Sequence, residues 1–225
     1  MTLHTYPDVE QRSPEWFDQR LGMITASAVG QLITPTLRVA DNDTSRGLTA
    51  TLVSERITGH SEPTRMTDDM FRGVLHEPYA IEAYEKHTKA TVQPCGFMVF
   101  DGDGWQLGFS PDGLVGDDGL VEVKCPRAKG HLATILSGNV PARHMAQLQA
   151  GLLVSGRKWI DFISFHGGLP LFVKRVYPDP AWFEAITNAV AQFERNAAEL
   201  TDKYLAAAVG LPATERPPAL EEGIF

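Results

Sequence analysis

The chain is poor in cysteine. Cys95 and Cys125 are its only two, and they lie outside any C-x-x-C pattern. Two thiols cannot complete a structural zinc site or a four-thiolate iron–sulfur cluster on their own, and scattered free thiols fit a reducing compartment. Long apolar runs are missing too. Nothing approaches the ~20 residues that span a bilayer, and the opening MTLHTYPDVEQRSPEW has neither the basic start nor the apolar stretch of a secretion signal. These absences predict a cytoplasmic protein without membrane association. Positive charge is in short supply: 20 Lys and Arg against 28 Asp and Glu leave a net charge of −8. The field of such a chain repels phosphate and excludes indiscriminate coating of nucleic acid. A nucleic-acid role therefore requires cations gathered on one surface. The seven histidines form no H-x-x-x-H or H-x-H pattern, and neither G-x-S-x-G nor a P-loop occurs.

What is present suits a globular protein. The 225 residues are 43% hydrophobic, enough for a sizeable core, and residues 1–225 read as one domain with a loosely held tail over about 211–225. Ser13 and Pro14 supply the N-cap and first residue of a helix running to Arg20 and stopping at Gly22. A second short helix begins near Thr25 or Ser27. Leu48, Leu52, Val53 and Ile57 mark an amphipathic helix, and another runs through Tyr79, Ile81, Tyr84 and His87, starting or kinking at Glu77-Pro78. The period then changes. Segments 96–100, 105–115 and 120–125 alternate between Gly/Asp turns and read as a β-meander. A helix from Pro141 to about Ser155 follows, then strands over 159–165 and 169–177 joined at His166-Gly167-Gly168. Asp179-Pro180 opens a long last helix. This order predicts an α/β fold with a mixed, mainly antiparallel central sheet flanked by helices.

The chemistry concentrates in SPDG (110–113), the turn Gly116-Asp117-Asp118-Gly119 and LVEVKCP (120–126). Folding the second strand back on the first brings Asp112 close to Glu122, within a residue or two of register. Leu120, Glu122 and Lys124 share one strand face, and Val121, Val123 and Cys125 the other. The apolar face is expected to be buried and the carboxylates and lysine to gather on the opposite surface. Carboxylates this close repel unless a cation sits between them, and an oxygen donor set suits Mg²⁺. Such an ion acidifies a bound water and neutralises phosphodiester charge, with Lys124 placed to hold the water or the developing charge. Taken alone, the same three residues fit a weak surface salt bridge better than a metal site. Glu77 offers a third carboxylate upstream, although a solvated glutamate near a helix terminus is its plainer reading. Gln147 lies with His144 beside the apolar stripe Met145, Leu148 and Leu152, where it can reach a water or a phosphate.

The segments WFDQRLGMITAS (16–27), GVLHE (73–77), SPDGL (110–114), EVKCP (122–126) and MAQLQ (145–149) occur in that order. Together they resemble the phage lambda exonuclease family of YqaJ-type viral recombinases, over about Trp16 to Gly156. The resemblance implies a restriction-endonuclease-like core. It also implies a Mg²⁺-dependent 5′→3′ exonuclease that degrades one strand of linear duplex DNA to mononucleotides and leaves 3′ overhangs for strand annealing.

On the matching positions, the resemblance implies Asp112, Glu122, Lys124, Gln147 and Glu77 as catalytic residues. Asp112, Glu122, the backbone carbonyl of Val123 and Glu77 (through water) would hold metal, as two Mg²⁺ ions that Mn²⁺ can replace. Arg20, Ser27 and Ser110 match the family's anchor for a 5′-phosphate. The family's further arginine falls on Gly130 here, leaving Lys129 or Arg127 as substitutes. Met70 or Phe71 matches a strand-separating wedge. The partners implied are double-stranded DNA ends, a single-strand annealing protein and two further copies in a ring-shaped homotrimer, within a phage or prophage setting inside a bacterial host. The rivals are an endonuclease of the same superfamily and a catalytically silent DNA-end-binding protein.

Overall fold

The computed structural model describes residues 2–62 and 66–216. Strand β1 (Thr2–Tyr6) is followed by α1 (Pro14–Arg20), a 3₁₀ turn (Val29–Leu32), α2 (Asp43–Thr58) and α3 (Asp68–Thr88). Five strands come next: β2 (Val92–Gln93), β3 (Phe97–Asp101), β4 (Gln106–Phe109), β5 (Gly113–Val115) and β6 (Gly119–Lys124). Helix α4 (Ala128–Ser137), a 3₁₀ turn (Ala142–His144) and α5 (Met145–Ser155) lead to β7 (Trp159–Ser164), β8 (Phe172–Val176) and α6 (Pro180–Ala208). No helix among the described residues is long and apolar enough to cross a membrane. The expected loose tail lies partly outside the described residues, from 217 onward.

The expected meander divides at Ser110-Pro111-Asp112. Before the break, β4 pairs with β3 in a sheet of order β1-β3-β4; after it, β5 pairs with β6 in a sheet of order β2-β5-β6-β7-β8. Pro111 has no amide hydrogen for a ladder, so the chain leaves one sheet and enters the other there. Strands β6 and β7 run parallel, Glu122 opposite Phe162 and Lys124 opposite Ser164, because α4 and α5 carry the chain back between them. Helix α4 and strand β1 were not foreseen. Proline 78 lies well inside α3, so that helix starts earlier than Glu77.

The five-stranded sheet is a middle layer. Ala80 and Tyr84 of α3 pack on Val121, Val123 and Ile163, while Leu120, Ile160 and Phe162 join α5 and α6 in the larger core. Both faces of β6 are thus covered, and Glu122 is 1% exposed. The carboxylate face is therefore not a solvent-facing surface, as the strand alternation suggests, but the wall of a crevice beneath α5. Tyr84 hydroxyl donates to the buried Asp161 at 2.8 Å, and Arg175 grips that carboxylate with two bonds of 2.9 Å. This pins α3 and β8 to β7.

Candidate active site

Four segments converge on one cavity. The β5–β6 hairpin pairs Gly113 with Val121, which sets Asp112 across from Glu122. The Val123 amide donates to Asp112 Oδ2 at 2.6 Å. Glu122 Oε1 accepts from Lys124 Nζ at 2.6 Å and from Gln147 Nε2 of α5 at 2.6 Å. The other oxygen, Oε2, is buried with no hydrogen-bond partner among the described residues. Helix α3 brings Glu77 to the same cavity, with Arg12 Nη2 3.4 Å from its Oε2. Arg12 holds a left-handed backbone, φ 73°. By contrast, Gln149 of the same MAQLQ block has turned away: it bonds the carbonyl of Tyr177 and the amide of Asp179, fixing α5 to the start of α6.

The electrostatics are those of crowded carboxylates. Burial, and then the negative charge of Glu122, push the Asp112 carboxyl well above its ordinary range. Burial pulls the Lys124 ammonium down, but Glu122, Asp112 and Glu77 together outweigh it and hold the group above its usual value. Burial raises the Cys125 thiol to about 11, with help from Glu77 and Asp112, so it is no thiolate nucleophile at neutral pH. His144, stacked on Phe162 with centroids 5.5 Å apart, is lowered to about 4 by burial and by the charges of Lys124 and Arg143. It lines the cavity as a neutral ring.

A second group adjoins the first. The segment Ile24–Ala26 runs along β4, the Ala26 amide donating to the Gly108 carbonyl at 2.7 Å, and so delivers Ser27 to the cavity wall. Ser110 Oγ accepts from Trp16 Nε1 at 2.8 Å and from Arg20 Nη1 at 3.2 Å, and the Arg20 guanidinium lies 3.9 Å from the Trp16 ring centroid. Burial lowers Arg20 to about 10, with Glu55 opposing. The turn after α1 is held at Gly22 (φ 63°), whose amide donates to Glu55 and whose carbonyl accepts from Arg56 at 2.7 Å. A Cβ there would come within 2.4 Å of Arg56.

The cavity measures about 710 Å³. It is lined by six cations (Arg12, Arg20, Arg72, Lys124, Arg127 and Arg143) against four carboxylates (Asp69, Glu77, Asp112 and Glu122). A chain of net charge −8 thus gathers cations at one place. Most of the residues singled out from sequence meet here: Glu77, Asp112, Glu122, Val123, Lys124, Gln147, Arg20, Ser27, Ser110 and Met70. Lys129 does not; it is exposed on α4 outside the described lining. Arg127 reaches the lining, but its guanidinium is tied to Asp69 at 2.8 Å. Phe71 is 55% exposed beside the cavity and Met70, on its rim, 49%. Arg143 lines the cavity without having been singled out; its position one turn before Gln147 was the available signal.

Among the described residues no group of three or more His, Cys, Asp and Glu side chains forms a ready metal cluster. The pair Asp112 and Glu122 nonetheless fits a hard cation. One buried carboxylate oxygen is orphaned, the neighbouring carboxyl is destabilised as an anion, and the donors are oxygens.

Residues 15–158 match the family model of the YqaJ-like viral recombinase domain. The crystal structure of an alkaline exonuclease, LHK-Exo, from Laribacter hongkongensis superposes with a TM-score of 0.78 at 32% identity, covering 89% of this chain and 100% of that one. The same protein in complex with dAMP superposes equally well, with a TM-score of 0.78. A phage-related exonuclease from Haemophilus somnus 129PT shares the fold, with a TM-score of 0.60 at 11% identity over 81% of this chain and 96% of that one. No curated relative matches the chain at a significant level. The mixed α/β architecture is a restriction-endonuclease-like core flanked by helices.

Proposed function

The chain belongs to the YqaJ-like viral recombinase family and is a nuclease of the alkaline-exonuclease kind, and from its site we propose that it is a divalent-metal-dependent 5′→3′ exonuclease acting on the ends of linear double-stranded DNA. It releases mononucleotides and leaves a 3′ overhang, the substrate of a single-strand annealing protein. The observation that carries this reading is Glu122, across the hairpin from Asp112, whose Oε1 is held by Lys124 and Gln147 while Oε2 is buried without a partner among the described residues. Mg²⁺, or Mn²⁺ in its place, would be held by Asp112, Glu122 and the carbonyl of Val123, with Glu77 available through water to a second ion. When bound, the metal supplies acidification of a water and neutralisation of phosphodiester charge.

The chain's own groups supply the rest. Lys124, anchored on Glu122, is placed to steady the attacking water or the charge that develops on the phosphate. Gln147 fixes the Glu122 carboxylate and presents its amide to the same space. Arg20, with Ser110 and Ser27, suits a terminal phosphate by charge-assisted hydrogen bonds. The complex of LHK-Exo with dAMP supports a mononucleotide as the product. Met70 and Phe71, exposed at the start of α3, suit a wedge between strands.

Three copies in a closed ring would keep a polyanion threaded where a few phosphate contacts alone would release it in salt. Lys124, Arg127 and Lys129 would then face the channel.

Incubation of linear and covalently closed circular duplexes with Mg²⁺ or chelator, followed by strand-resolved product analysis, tests the reading. Mg²⁺-dependent shortening of strands from their 5′ ends, with 3′ ends and circles intact, is expected. Cleaved circles would point to an endonuclease, and end binding without digestion to a silent relative; either outcome overturns the proposal.

A further inference from the structure

Four of the six cations lining the cavity are engaged by acidic side chains. Arg12 pairs with Glu77, Arg72 and Arg127 share Asp69, and Lys124 bonds Glu122. Arg20 has a polar partner in Ser110 and a stacking partner in Trp16. Arg143 has neither an ion pair nor a hydrogen bond among the described residues. It is exposed, so nothing about the fold explains its position.

Its surroundings are specific. Arg143 lines both the main cavity and an adjoining recess of about 300 Å³, whose walls include Ser27, Lys124 and Gln147. It sits in the 3₁₀ turn Ala142–His144, which runs directly into α5, so Gln147 lies four residues on and on the same side. That helix is anchored through Gln149 to Tyr177 and Asp179, which gives the guanidinium a firm base. The cavity also has Gly130 on its wall, which contributes no charge.

We infer that Arg143 is the second phosphate-binding cation of this chain, gripping a terminal phosphate monoester from the α5 side while Arg20 holds it from the α1 side. The inference rests on the proposed action at DNA ends and names the residue that makes those ends selective. Arginine suits the task because its planar fork binds two phosphate oxygens at once. Neither Lys129, which does not line the cavity, nor Arg127, held by Asp69, supplies this contact.

The test is fluorescence anisotropy in chelator, with short duplexes ending in a 5′-phosphate or a 5′-hydroxyl. Wild type should prefer the phosphorylated end. Arg143→Ala should cut that preference by about tenfold, the effect of one lost charge-assisted contact, with its melting temperature unchanged. Arg143→Lys should fall between, having charge without the fork. Arg195→Ala, which removes an exposed arginine of α6 outside the described lining, should leave the preference intact. An unchanged preference in Arg143→Ala, a preference lost in Lys129→Ala instead, or none in wild type would each overturn the inference. A wild type that prefers phosphorylated ends but digests no linear duplex would sink the exonuclease reading and leave this one standing.

Discussion

Glu122→Gln separates ion binding from structural support. In the wild type both bonds to the carboxylate fall on Oε1, from Lys124 and Gln147 at 2.6 Å each, and Oε2 is buried without a partner among the described residues. The glutamine oxygen can keep the Oε1 bonds, and its amide nitrogen then occupies the Oε2 position facing Asp112. A buried unsatisfied acceptor costs about 1–3 kcal/mol, and the variant also loses the repulsion that raises the Asp112 carboxyl. Against this stands the lost charge pair with Lys124, which still has Asp112 and Glu77 as anionic neighbours. In chelator the variant should therefore be as stable as wild type or more stable by up to about 2 kcal/mol. Mg²⁺ at roughly ten times its dissociation constant should stabilise wild type by about 1.4 kcal/mol, from RT ln 11. That raises the melting temperature of a chain this size by about 3–6 °C. The variant should gain nothing and cut nothing. Scanning calorimetry with Mg²⁺ and with chelator decides the matter. A variant that shows the wild-type Mg²⁺ shift, or one that melts far below wild type in chelator, refutes the argument.

Lys124→Ala should abolish digestion while leaving the Mg²⁺-dependent melting shift largely in place, because its Nζ bonds Glu122 rather than supplying a metal donor; cleavage at a normal rate would remove Lys124 from the mechanism. Asp161→Ala should lower stability by about 1–3 kcal/mol, the cost of a buried polar group left without its partner, since it orphans the buried Tyr84 hydroxyl and releases the exposed Arg175; denaturant melts measure it, and a loss under about 0.5 kcal/mol would contradict the pinning role. Light scattering coupled to gel filtration should find three copies per particle, and a monomer at micromolar concentration, with and without DNA, would exclude the ring.

The hairpin at the centre of the site was legible because two local signals agree: a Gly-Asp-Asp-Gly turn and a period-two strand after it. Proximity of Asp112 to Glu122 follows from those alone. The depth of the site was not legible. Glu122 is buried because β6 is flanked by a parallel neighbour and roofed by α5, and such pairings are set by segments far away in sequence. Strand β1 escaped notice because it is an exposed edge strand, with no apolar alternation to show. Helix α4 carries Gly130 inside it and leaves Leu132 and Leu136 exposed, so it offers no apolar stripe facing a core. The signal at Arg143, its place one turn before Gln147, was weak for a related reason: the two are separated by a 3₁₀-to-α junction that periodicity does not mark.

The break between the two sheets has a functional reading of its own. Ser110 closes the first sheet and takes the bonds of Trp16 and Arg20; Asp112, two residues on, opens the second and takes the Val123 amide. Two residues of chain span at most about 7 Å. The axial rise of a DNA strand is about 3.4 Å per nucleotide, and neighbouring phosphates of one strand lie farther apart than that because the backbone also winds around the axis. On the proposed reading the step from Ser110 to Asp112 therefore fits one nucleotide. If the proposed anchor holds, a terminal phosphate seated at Ser110 would bring the adjacent phosphodiester to Asp112 and Glu122, and a proline-stiffened step in the backbone would set the product length. Mass spectrometry of the acid-soluble products at early times should find mononucleotides from the first turnover, with dinucleotides as the upper bound. Initial products of three or more nucleotides would mean that the end is not held at Ser110, and would break the link between the anchor and the cut.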